Sequence, residues 1–384
     1  MVRGAGHAAV IGLLLAALPL AIWLCLLAGH GGFWLARERD TTVPPAPAAW
    51  PDVVAVVPAR DEAAVIGETI ASLAAQDYPG RFRIVLVDDG SGDGTAAIAR
   101  AAAGAERLEI LRGAPLPAEW TGKLWAVHQG IAAAGSPRYL WLTDADIAHA
   151  PDTLRTLVAR AEAGGLALVS LMARLRCVSL AERALVPAFV FFFQMLYPFA
   201  RVNRPGGVAA AAGGCMLARA DALARAGGIG AVRSALIDDC AVGAMMKRQG
   251  PIWLGLTDRS RSIRPYDDAG AVAAMISRSA YAQLRYSPLL LAGTIAGLAL
   301  VYLAPPLLAL FGHGAARLCG AVAWALLALA FQPMLRFYRR SPLWGVALPA
   351  IAAFYAGCTV RAAWQHVRGR GGMWKGRAQA AVGR

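Results

Sequence analysis

Residues 84–95 read IVLVDDGSGDGT, an apolar run that passes directly into a turn of acids and glycines. The apolar half predicts a buried strand, and the turn before Thr95 predicts the start of a helix. Asp88, Asp89 and Asp93 lie within six residues, and their carboxylates repel one another unless a cation or hydrogen-bond donors lie beside them. The stretch therefore predicts a strand, a turn and a helix whose acids either cap the helix or line a binding site.

Apolar, β-rich runs alternate with helical patterns on both sides of this stretch. Such alternation predicts an α/β domain with a mostly parallel sheet. Ligands of such sheets bind beyond the carboxyl ends of the strands, so polar residues directly after a strand are site candidates. We predict strands at 53–57, 83–87, 108–111, 139–143 and 166–172, and helices at 61–76, 94–103, 123–134 and 152–163.

Two further acidic pairs are placed where such a site would form. The strand at 139–143 ends in Asp144-Ala145-Asp146, and the repulsion between these two carboxylates is relieved by a hard divalent cation such as Mg²⁺ or Mn²⁺. Diphosphate oxygens would complete the shell of that metal. Asp238 and Asp239 precede a helical pattern at 240–249, where they either cap the helix or supply a general base.

The ends of the chain are much more apolar than its middle. Of the 384 residues 58% are hydrophobic and 16% are charged, whereas a soluble domain carries about 25% charged residues. No Asp, Glu, Lys or Arg lies between Arg3 and Arg37, and the run at 10–28 can span a bilayer, with a cleaved signal peptide as the alternative. Three more segments have the length of a membrane helix: 289–311, with a kink expected at Pro305-Pro306, 318–335 and 343–360.

Arginine placement predicts the orientation of these segments. Arginines follow the first and third spans, which puts both clusters and the middle of the chain in the cytoplasm. The span at 343–360 conflicts with that rule because it would export a basic tail, so it is either re-entrant or an exception. A shorter apolar stretch at 185–199 is either a buried core segment or an interfacial one.

Net charge and cysteine usage narrow the classes of partner. The net charge is +14, which suits nucleic acid, anionic lipid or an anionic substrate. No nucleic-acid module is recognisable, and the arginines flank apolar runs, so we expect anionic lipid head groups and no nucleic acid. The six cysteines form no C-x-x-C pair, which favours small buried residues over disulfides or zinc.

These observations predict a domain organisation in six parts. It consists of an N-terminal transmembrane anchor at 1–36, a linker at 37–51, a catalytic domain at 52–268, an interfacial helix at 269–288, transmembrane helices at 289–363 and a basic tail at 364–384.

The strings VVPARDE (56–62), VDDGSGDGT (87–95) and TDAD (143–146), in this order, resemble family 2 glycosyltransferases of the GT-A fold. The resemblance covers about residues 53–288 and implies a Rossmann-like α/β catalytic domain with one N-terminal and about three C-terminal transmembrane helices. It implies that the nucleoside of a nucleotide-diphosphate sugar contacts Pro58, Arg60 and Glu62, and that Asp89 reads the base with Asp88 beside it.

The same resemblance assigns the remaining acids. Asp144 and Asp146 match the pair that holds the metal and the diphosphate, and Asp239 matches the catalytic base. Lys123, within WTGK (120–123), matches a lysine that faces the nucleotide; a solvated lysine at a helix start is the alternative. The segment GGCM (213–216) resembles the strand that lines the acceptor site.

One motif departs from the family pattern. Where many membrane members carry Q/R-x-x-R-W, residues 281–286 read YAQLRY, with Gln283 out of register. This weakens a processive polysaccharide synthase as an alternative. Arg278 and Arg285 would either neutralise the leaving diphosphate or contact lipid head groups.

The layout is most similar to the membrane glycosyltransferases associated with hopanoid biosynthesis, through PARDE, WTGK, IDDC (237–240) and QLRYSPLLL (283–291). That likeness implies a multi-pass inner-membrane enzyme with a cytoplasmic catalytic domain. It would move a sugar from a nucleotide donor, typically UDP-linked, to a hopanoid or other lipid by metal-dependent inverting displacement. Its partners would include other enzymes of hopanoid synthesis. A catalytically inactive scaffold of that synthesis, or a transporter, is the alternative.

Overall fold

The computed structural model describes residues 2–103, 107–369, 373–374 and 377–378. The chain folds into two compact units, which we call the helical unit and the sheet unit. The helical unit consists of Met1–Arg37, Cys177–Pro198 and Tyr266–Gly371; the sheet unit consists of Glu38–Arg176, Phe199–Pro265 and Gly372–Arg384. The predicted catalytic domain at 52–268 is therefore not one continuous block, because residues 177–198 belong to the helical unit.

The sheet unit is built on an eight-stranded sheet. Its order is β3-β2-β1-β4-β7-β6-β8-β5. Four neighbouring pairs are parallel, and β7 runs antiparallel to both β4 and β6. The strands are β1 (Val53–Ala59), β2 (Phe82–Asp88), β3 (Leu108–Arg112), β4 (Tyr139–Thr143), β5 (Ile147–His149), β6 (Leu168–Arg174), β7 (Cys215–Arg219) and β8 (Ile252–Ser262); Met373–Trp374 and Arg377–Ala378 form a separate two-stranded ladder, β9 and β10.

The five predicted strands are confirmed to within about two residues at each end. Every residue of β1 and β4 is buried, as expected of strands that are covered on both faces. On one face Trp141, Ile70 and Leu157 are among the buried side chains of the main core. This rigid sheet holds the loops at its carboxyl edge in place.

In the part of the chain that the structure describes, seven α-helices belong to each unit. The sheet unit contains α2 (Ile66–Ala74), α3 (Thr95–Ala103), α4 (Gly122–Ala133), α5 (Thr153–Gly164), α7 (Phe199–Val202), α8 (Ala220–Arg225) and α9 (Asp238–Lys247). The helical unit contains α1 (Val2–Gly29), α6 (Leu180–Leu196), α10 (Ala269–Gln283), α11 (Pro288–Leu298), α12 (Ala304–Phe311), α13 (Gly314–Phe337) and α14 (Leu348–Val367).

The predicted linker at 37–51 is held against the sheet at its start. The Asp40 N–H donates to the Leu256 carbonyl at 3.0 Å, and the Leu256 N–H donates to the Glu38 carbonyl at 2.8 Å. The Asp40 carboxylate accepts from Thr257 Oγ1 at 2.7 Å. Residues 38–40 therefore run beside β8 as part of the sheet unit.

Three helical segments in the described part of the chain are long and apolar enough to cross a membrane: Leu180–Val202, Pro288–Phe311 and Gly314–Phe337. The last two match predicted spans. Leu180–Val202 was expected to be too short, but the structure extends its helical run at both ends. The predicted span at 343–360 covers the end of a 3-10 turn, Pro342–Gly345, and most of α14, and α14 is not among the three.

The predicted N-terminal span at 10–28 lies in α1, whose described apolar part, Leu14–Gly29, is shorter than these three segments. The predicted interfacial segment at 269–288 contains α10. The predicted basic tail at 364–384 begins within α14, and much of the remainder lies outside the described residues.

The kink expected at Pro305-Pro306 lies beside a π-helical turn in the helical unit. A π-helical turn, Ala299–Leu303, separates α11 from α12 directly before Pro305. Pro305 lacks the N–H that would bond to the Val301 carbonyl, and the indole Nε1 of Trp23 donates to that oxygen at 2.8 Å. The fully buried Trp23 thus satisfies a carbonyl that proline leaves open.

A buried carboxylate joins the two segments at which the chain enters the helical unit. Ser179 caps α6, and Glu182 completes a capping box with it. Glu182 accepts from the backbone N–H groups of Val178 at 2.7 Å, Ser179 at 2.8 Å and Tyr266 at 2.8 Å. Residues 178–179 and 266 are thereby held together.

Candidate functional site

Lys123 lies between two carboxylates at the carboxyl edge of the sheet. Its Nζ is 2.8 Å from Asp144 Oδ1 and 2.9 Å from Asp238 Oδ2. Thr121 caps α4 by accepting from the Leu124 N–H at 3.3 Å, so Lys123 lies in the first helical turn, where the helix dipole disfavours a cation. Burial lowers the pKa of Lys123, but Asp144 and Asp238 outweigh it and hold that pKa well above its usual range. The solvated-lysine alternative is therefore wrong.

Arg264 holds the other carboxylate of the D-x-D pair. Its Nε lies 2.6 Å from Asp146 Oδ2, and its Nη2 donates to both Glu62 oxygens at 2.7 and 2.6 Å. Burial lowers the pKa of this guanidinium, and Asp146 and Glu62 raise it by more. Glu62, only 7% exposed, is thus brought beside the D-x-D pair.

Carboxylates outnumber cations in the described ion pairs around Asp144 and Asp146. Four carboxylates (Glu62, Asp144, Asp146 and Asp238) pair with Lys123 and Arg264. Among the described residues, however, no three His, Cys, Asp or Glu side chains are grouped to hold a metal by themselves. The donor set suits a hard divalent cation that takes most of its oxygens from a diphosphate and water.

Asp239 follows Asp238 in the first turn of α9 and is oriented by backbone donors. Its Oδ2 accepts from the Gly213 N–H at 3.1 Å, and its Oδ1 accepts from the Cys240 N–H at 2.7 Å. Burial and the adjacent Asp238 raise the pKa of Asp239 to about 6, against the lowering effect of Lys123. A carboxylate of that pKa is a competent proton acceptor near neutral pH. The strand-like segment at 213–216 thus contacts Asp239 at its first residue.

The ends of β1 and β2 are joined by hydrogen bonds between their loops. The Glu62 N–H donates to Thr95 Oγ1 at 2.8 Å, and the Ala63 N–H donates to Asp93 Oδ2 at 2.9 Å. The Asp61 N–H donates to Ser91 Oγ at 3.0 Å. Asp93 therefore stabilises the turn, as the helix-capping alternative expects.

The predicted nucleoside-binding residues line the same edge. Arg60 Nη1 donates to the Asp89 carbonyl and lies 3.7 Å from Asp89 Oδ2. Asp89 is 3% exposed, and Asp88 Oδ1 accepts from the Ser91 N–H at 2.9 Å. Pro58 lines a small pocket together with Lys123, Asp144, Gly213, Ile229 and Asp238.

A buried histidine lies behind the D-x-D pair. His149 is 2.9 Å from Thr143 Oγ1 through Nε2 and 2.9 Å from Ser260 Oγ through Nδ1. Thr143 Oγ1 donates in turn to the Gly214 carbonyl at 2.9 Å. Burial lowers the pKa of His149 to about 3, so the ring is neutral and joins β4, β8 and the segment that orients Asp239.

Arg285 is not among the residues that the sheet unit brings together, because it lies in the helical unit. It and Tyr286 have positive φ values of 52° and 56° in the turn between α10 and α11. Gln283 Nε2 donates to the Tyr197 hydroxyl at 2.6 Å within the same unit. The assignment of Arg285 to the leaving diphosphate stays a prediction.

Sequence reasoning missed Arg264 and the direct pairing of Asp238 with Lys123. Arg264 follows β8, which was not predicted as a strand, so nothing marked it as lying at the carboxyl edge. The doublet Asp238-Asp239 was recognised, and the lysine in WTGK was recognised, but no local pattern connects positions 115 residues apart.

Comparison with known proteins matches part of this chain to a described family. Residues 54–227 match the family described as Glycosyl transferase family 2. An N-acetylglucosaminyltransferase of Rhizobium leguminosarum bv. viciae is 34% identical over 128 residues, which are 32% of this chain and 29% of that protein. An N-acetylglucosaminyltransferase of Mesorhizobium japonicum is 41% identical over 49 residues, 12% of each chain. The chain thus spans less than a third of the length of these curated relatives.

A solved structure shares the fold over most of the chain. The mannosyltransferase from Pyrobaculum calidifontis, determined in complex with GDP-Man and Mn²⁺, has a TM-score of 0.53 and 21% identity, with 90% of this chain and 99% of that chain covered. At this identity the likeness shows the α/β GT-A fold.

Proposed function

We propose that the chain transfers a sugar from a nucleotide-diphosphate sugar to an acceptor hydroxyl, because residues 54–227 match the family described as Glycosyl transferase family 2. The observation that carries the proposal is the ion bridge of Lys123, which joins the D-x-D acid Asp144 to Asp238 beside Asp239. The proposed donor-binding pair and the proposed proton acceptor lie together at one edge of the sheet, where α/β ligands bind.

The donor would lie across the carboxyl ends of β1, β2 and β4. Pro58, Arg60, Glu62, Asp88 and Asp89 supply a polar edge for the nucleoside. Asp144 and Asp146 would hold Mg²⁺ or Mn²⁺ together with the diphosphate, and the bound cation would neutralise charge on the leaving group. Lys123 adds a fixed positive charge beside the same pair.

Asp239 would act as the general base of an inverting displacement. Its carboxylate accepts the proton of the acceptor hydroxyl while that oxygen forms a bond to the anomeric carbon from the face opposite the donor diphosphate. The bond between the anomeric carbon and the diphosphate oxygen breaks, and the nucleoside diphosphate keeps the electron pair. The two backbone N–H groups that bind Asp239 fix its orientation, and positioning of this kind is a main source of rate.

A membrane lipid is the proposed acceptor class. Three apolar segments of 23, 24 and 24 residues in the described chain are long enough to cross a bilayer, and an acceptor held in the membrane would be concentrated near the site. The resemblance of the sequence to hopanoid-associated glycosyltransferases supports a hopanoid or other isoprenoid lipid, an inner-membrane location with the sheet unit in the cytoplasm, anionic lipid head-group contacts, and association with other enzymes of hopanoid synthesis. UDP-N-acetylglucosamine is the first donor to test because both curated relatives are N-acetylglucosaminyltransferases.

The test uses membranes that contain the full chain, with radiolabelled UDP-N-acetylglucosamine, UDP-glucose and GDP-mannose offered separately. We expect label in the lipid extract with one donor, its loss on chelation, and its recovery with Mn²⁺. Asp239→Asn should lower transfer by about 10²–10⁴-fold. The matched control is Asp221→Asn, since Asp221 also lies in the first turn of a helix but is exposed and pairs with Arg219 and Arg225. Full transfer by Asp239→Asn would show that the assigned base is wrong.

A further inference from the structure

Arg264 forms ion pairs with Asp146 of the D-x-D motif and with Glu62. The guanidinium bonds to Asp146 at 2.6 Å and to Glu62 at 2.7 and 2.6 Å. The side chains are 29% exposed for Arg264, 18% for Asp146 and 8% for Glu62. Charge-assisted hydrogen bonds of this length in a partly buried place are among the strong ones.

The backbone fixes Arg264 in this place. The Ile263 N–H donates to the Asp146 carbonyl at 2.9 Å, and Ile147 in β5 pairs with Ser262 in β8. The residues on either side of the contact are therefore joined by a strand ladder. The fold therefore holds the Arg264 backbone beside Asp146, where the guanidinium reaches the Asp146 carboxylate.

Arg261, in the strand that precedes Arg264, forms an ordinary exposed ion pair. Arg261 binds Glu68 at 2.5 Å, with 63% and 52% of the two side chains exposed. This pair includes no acid of the D-x-D motif and is exposed to solvent, where ion pairs contribute little. It offers a control of the same residue type, three positions earlier.

The proposed metal and Arg264 require the same carboxylate. A divalent cation at Asp144 and Asp146 binds carboxylate oxygens, and one Asp146 oxygen is already engaged by a cation. If the metal takes Asp146, the Arg264 Nε–H group that bonded to this carboxylate needs a new acceptor. A diphosphate is a suitable new acceptor because guanidinium binds phosphate oxygens in the same paired geometry as carboxylate oxygens.

We propose that Arg264 neutralises Asp146 and Glu62 as long as no ligand is bound. When a divalent ion and a nucleotide diphosphate bind together, Arg264 transfers its contact from Asp146 to the diphosphate. This inference rests on the proposed function, since it needs a metal and a donor at the D-x-D pair. Its consequence is coupling: each of the two ligands binds more tightly when the other is present.

The experiment measures Mn²⁺ binding to the full chain in detergent by electron paramagnetic resonance, without nucleotide and with saturating UDP or GDP. For the natural chain we expect weak Mn²⁺ binding alone and binding tighter by about tenfold or more with one of the nucleotides, within the usual range of coupling. Arg264→Gln should bind Mn²⁺ alone about tenfold more tightly and should lose most of the gain from the nucleotide. Arg261→Gln should behave as the natural chain does.

Arg264→Lys provides a second variant that keeps the charge but not the fork. It should bind Mn²⁺ alone with an affinity between those of the natural chain and Arg264→Gln, and it carries the test if Arg264→Gln does not fold. Unchanged or weaker Mn²⁺ binding by the folded variant without nucleotide overturns the inference, while the gain with nucleotide in the natural chain upholds the proposed metal site. Absence of Mn²⁺ binding by the natural chain under both conditions overturns the inference and the metal site together.

Discussion

Lys123 Nζ lies 2.9 Å from Asp238 Oδ2, so the acid that precedes the proposed base has its own counter-ion. Asp238 raises the pKa of Asp239, and Lys123 lowers it. The lysine therefore affects proton transfer at a residue to which it is not bonded, and this can be separated from its effect on the donor.

Lys123→Gln should raise the pKa of Asp239 above its value of about 6, because a positive charge that favours the carboxylate is removed. Transfer requires the carboxylate, so the rate rises as pH passes upward through that pKa, and the acidic limb of the pH profile of kcat/KM should move to higher pH. The rate on the plateau should also fall, by about 10²-fold, because charge stabilisation of the leaving group is lost. Arg219→Gln, which removes an arginine from a surface pair, should leave the profile in place. An acidic limb that stays near pH 6 in Lys123→Gln would contradict the assigned coupling.

His149 should make stability depend on pH. The folded protein holds its pKa near 3, against 6.5 in the unfolded chain. Below about pH 6.5 the unfolded chain binds a proton at this histidine and the folded chain does not. The free energy of unfolding is therefore at its full value above that pH and decreases as the pH falls toward 3. The loss should be about 1.4 kcal/mol per pH unit.

The measurement is urea unfolding of the full chain in detergent between pH 4.5 and 8, with the intrinsic fluorescence of the sheet-unit tryptophans as the signal. His149→Gln should be less stable at pH 8 because bonds to Thr143 and Ser260 change, and its stability should fall less steeply with acid. Equal slopes for the two proteins would show that His149 does not remain neutral in the fold.

Gly243→Ala should displace α9. A Cβ at this position would lie 2.7 Å from the Ala210 carbonyl carbon and 2.9 Å from its oxygen, so the helix that carries Asp239 has to shift. We expect a loss of about 1–3 kcal/mol of unfolding free energy and reduced transfer with donor binding retained. The control is Gly207→Ala, where a Cβ meets nothing within 4 Å. Equal activity and stability of the two variants would contradict the close approach.

Glu182→Ala should destabilise the helical unit by about 2–4 kcal/mol, because three partly buried backbone N–H groups lose their acceptor. Glu68→Ala is a matched control, since Glu68 is also the third residue of a helix but is exposed. Thermal unfolding in detergent should show a clear decrease in Tm for the first variant and little change for the second. Similar Tm values would mean that the Tyr266 contact contributes nothing.

The strands that sequence reasoning found are those with an unbroken apolar run, such as residues 139–143, because burial on both faces requires one. Periodicity did not predict β7, because CMLAR follows a glycine and alanine stretch without alternation, and only the family resemblance placed a strand at 213–216. β8 was missed because its second half, residues 257–262, is polar and partly exposed. Hydrophobic periodicity reveals a strand through its buried side chains. The polar, partly exposed half of β8 lacks that pattern.

The membrane segments and the site residues were likewise predicted only in part. The apolar stretch at 185–199 was judged too short to span a bilayer, whereas α6 begins at Leu180 behind the Ser179 cap and α7 continues the helical run to Val202. The acids and Lys123 stood out because each lies at a strand or helix end within a recognisable string. Arg264 did not, because ion pairing across 118 residues depends on sheet order, which no local pattern contains.

The place of β7 in the sheet determines when the sheet can be completed during synthesis. β7 is the strand that connects β4 to β6, yet it lies at 215–219, after the helical run Leu180–Val202. When that run leaves the ribosome, β1 to β4 and β6 exist as separate parts that have no pairing partner in common. Asp239 and Arg264, which follow β7 in the chain, therefore join the acids at the ends of β1, β2 and β4 only after the helical run Leu180–Val202 has been synthesised.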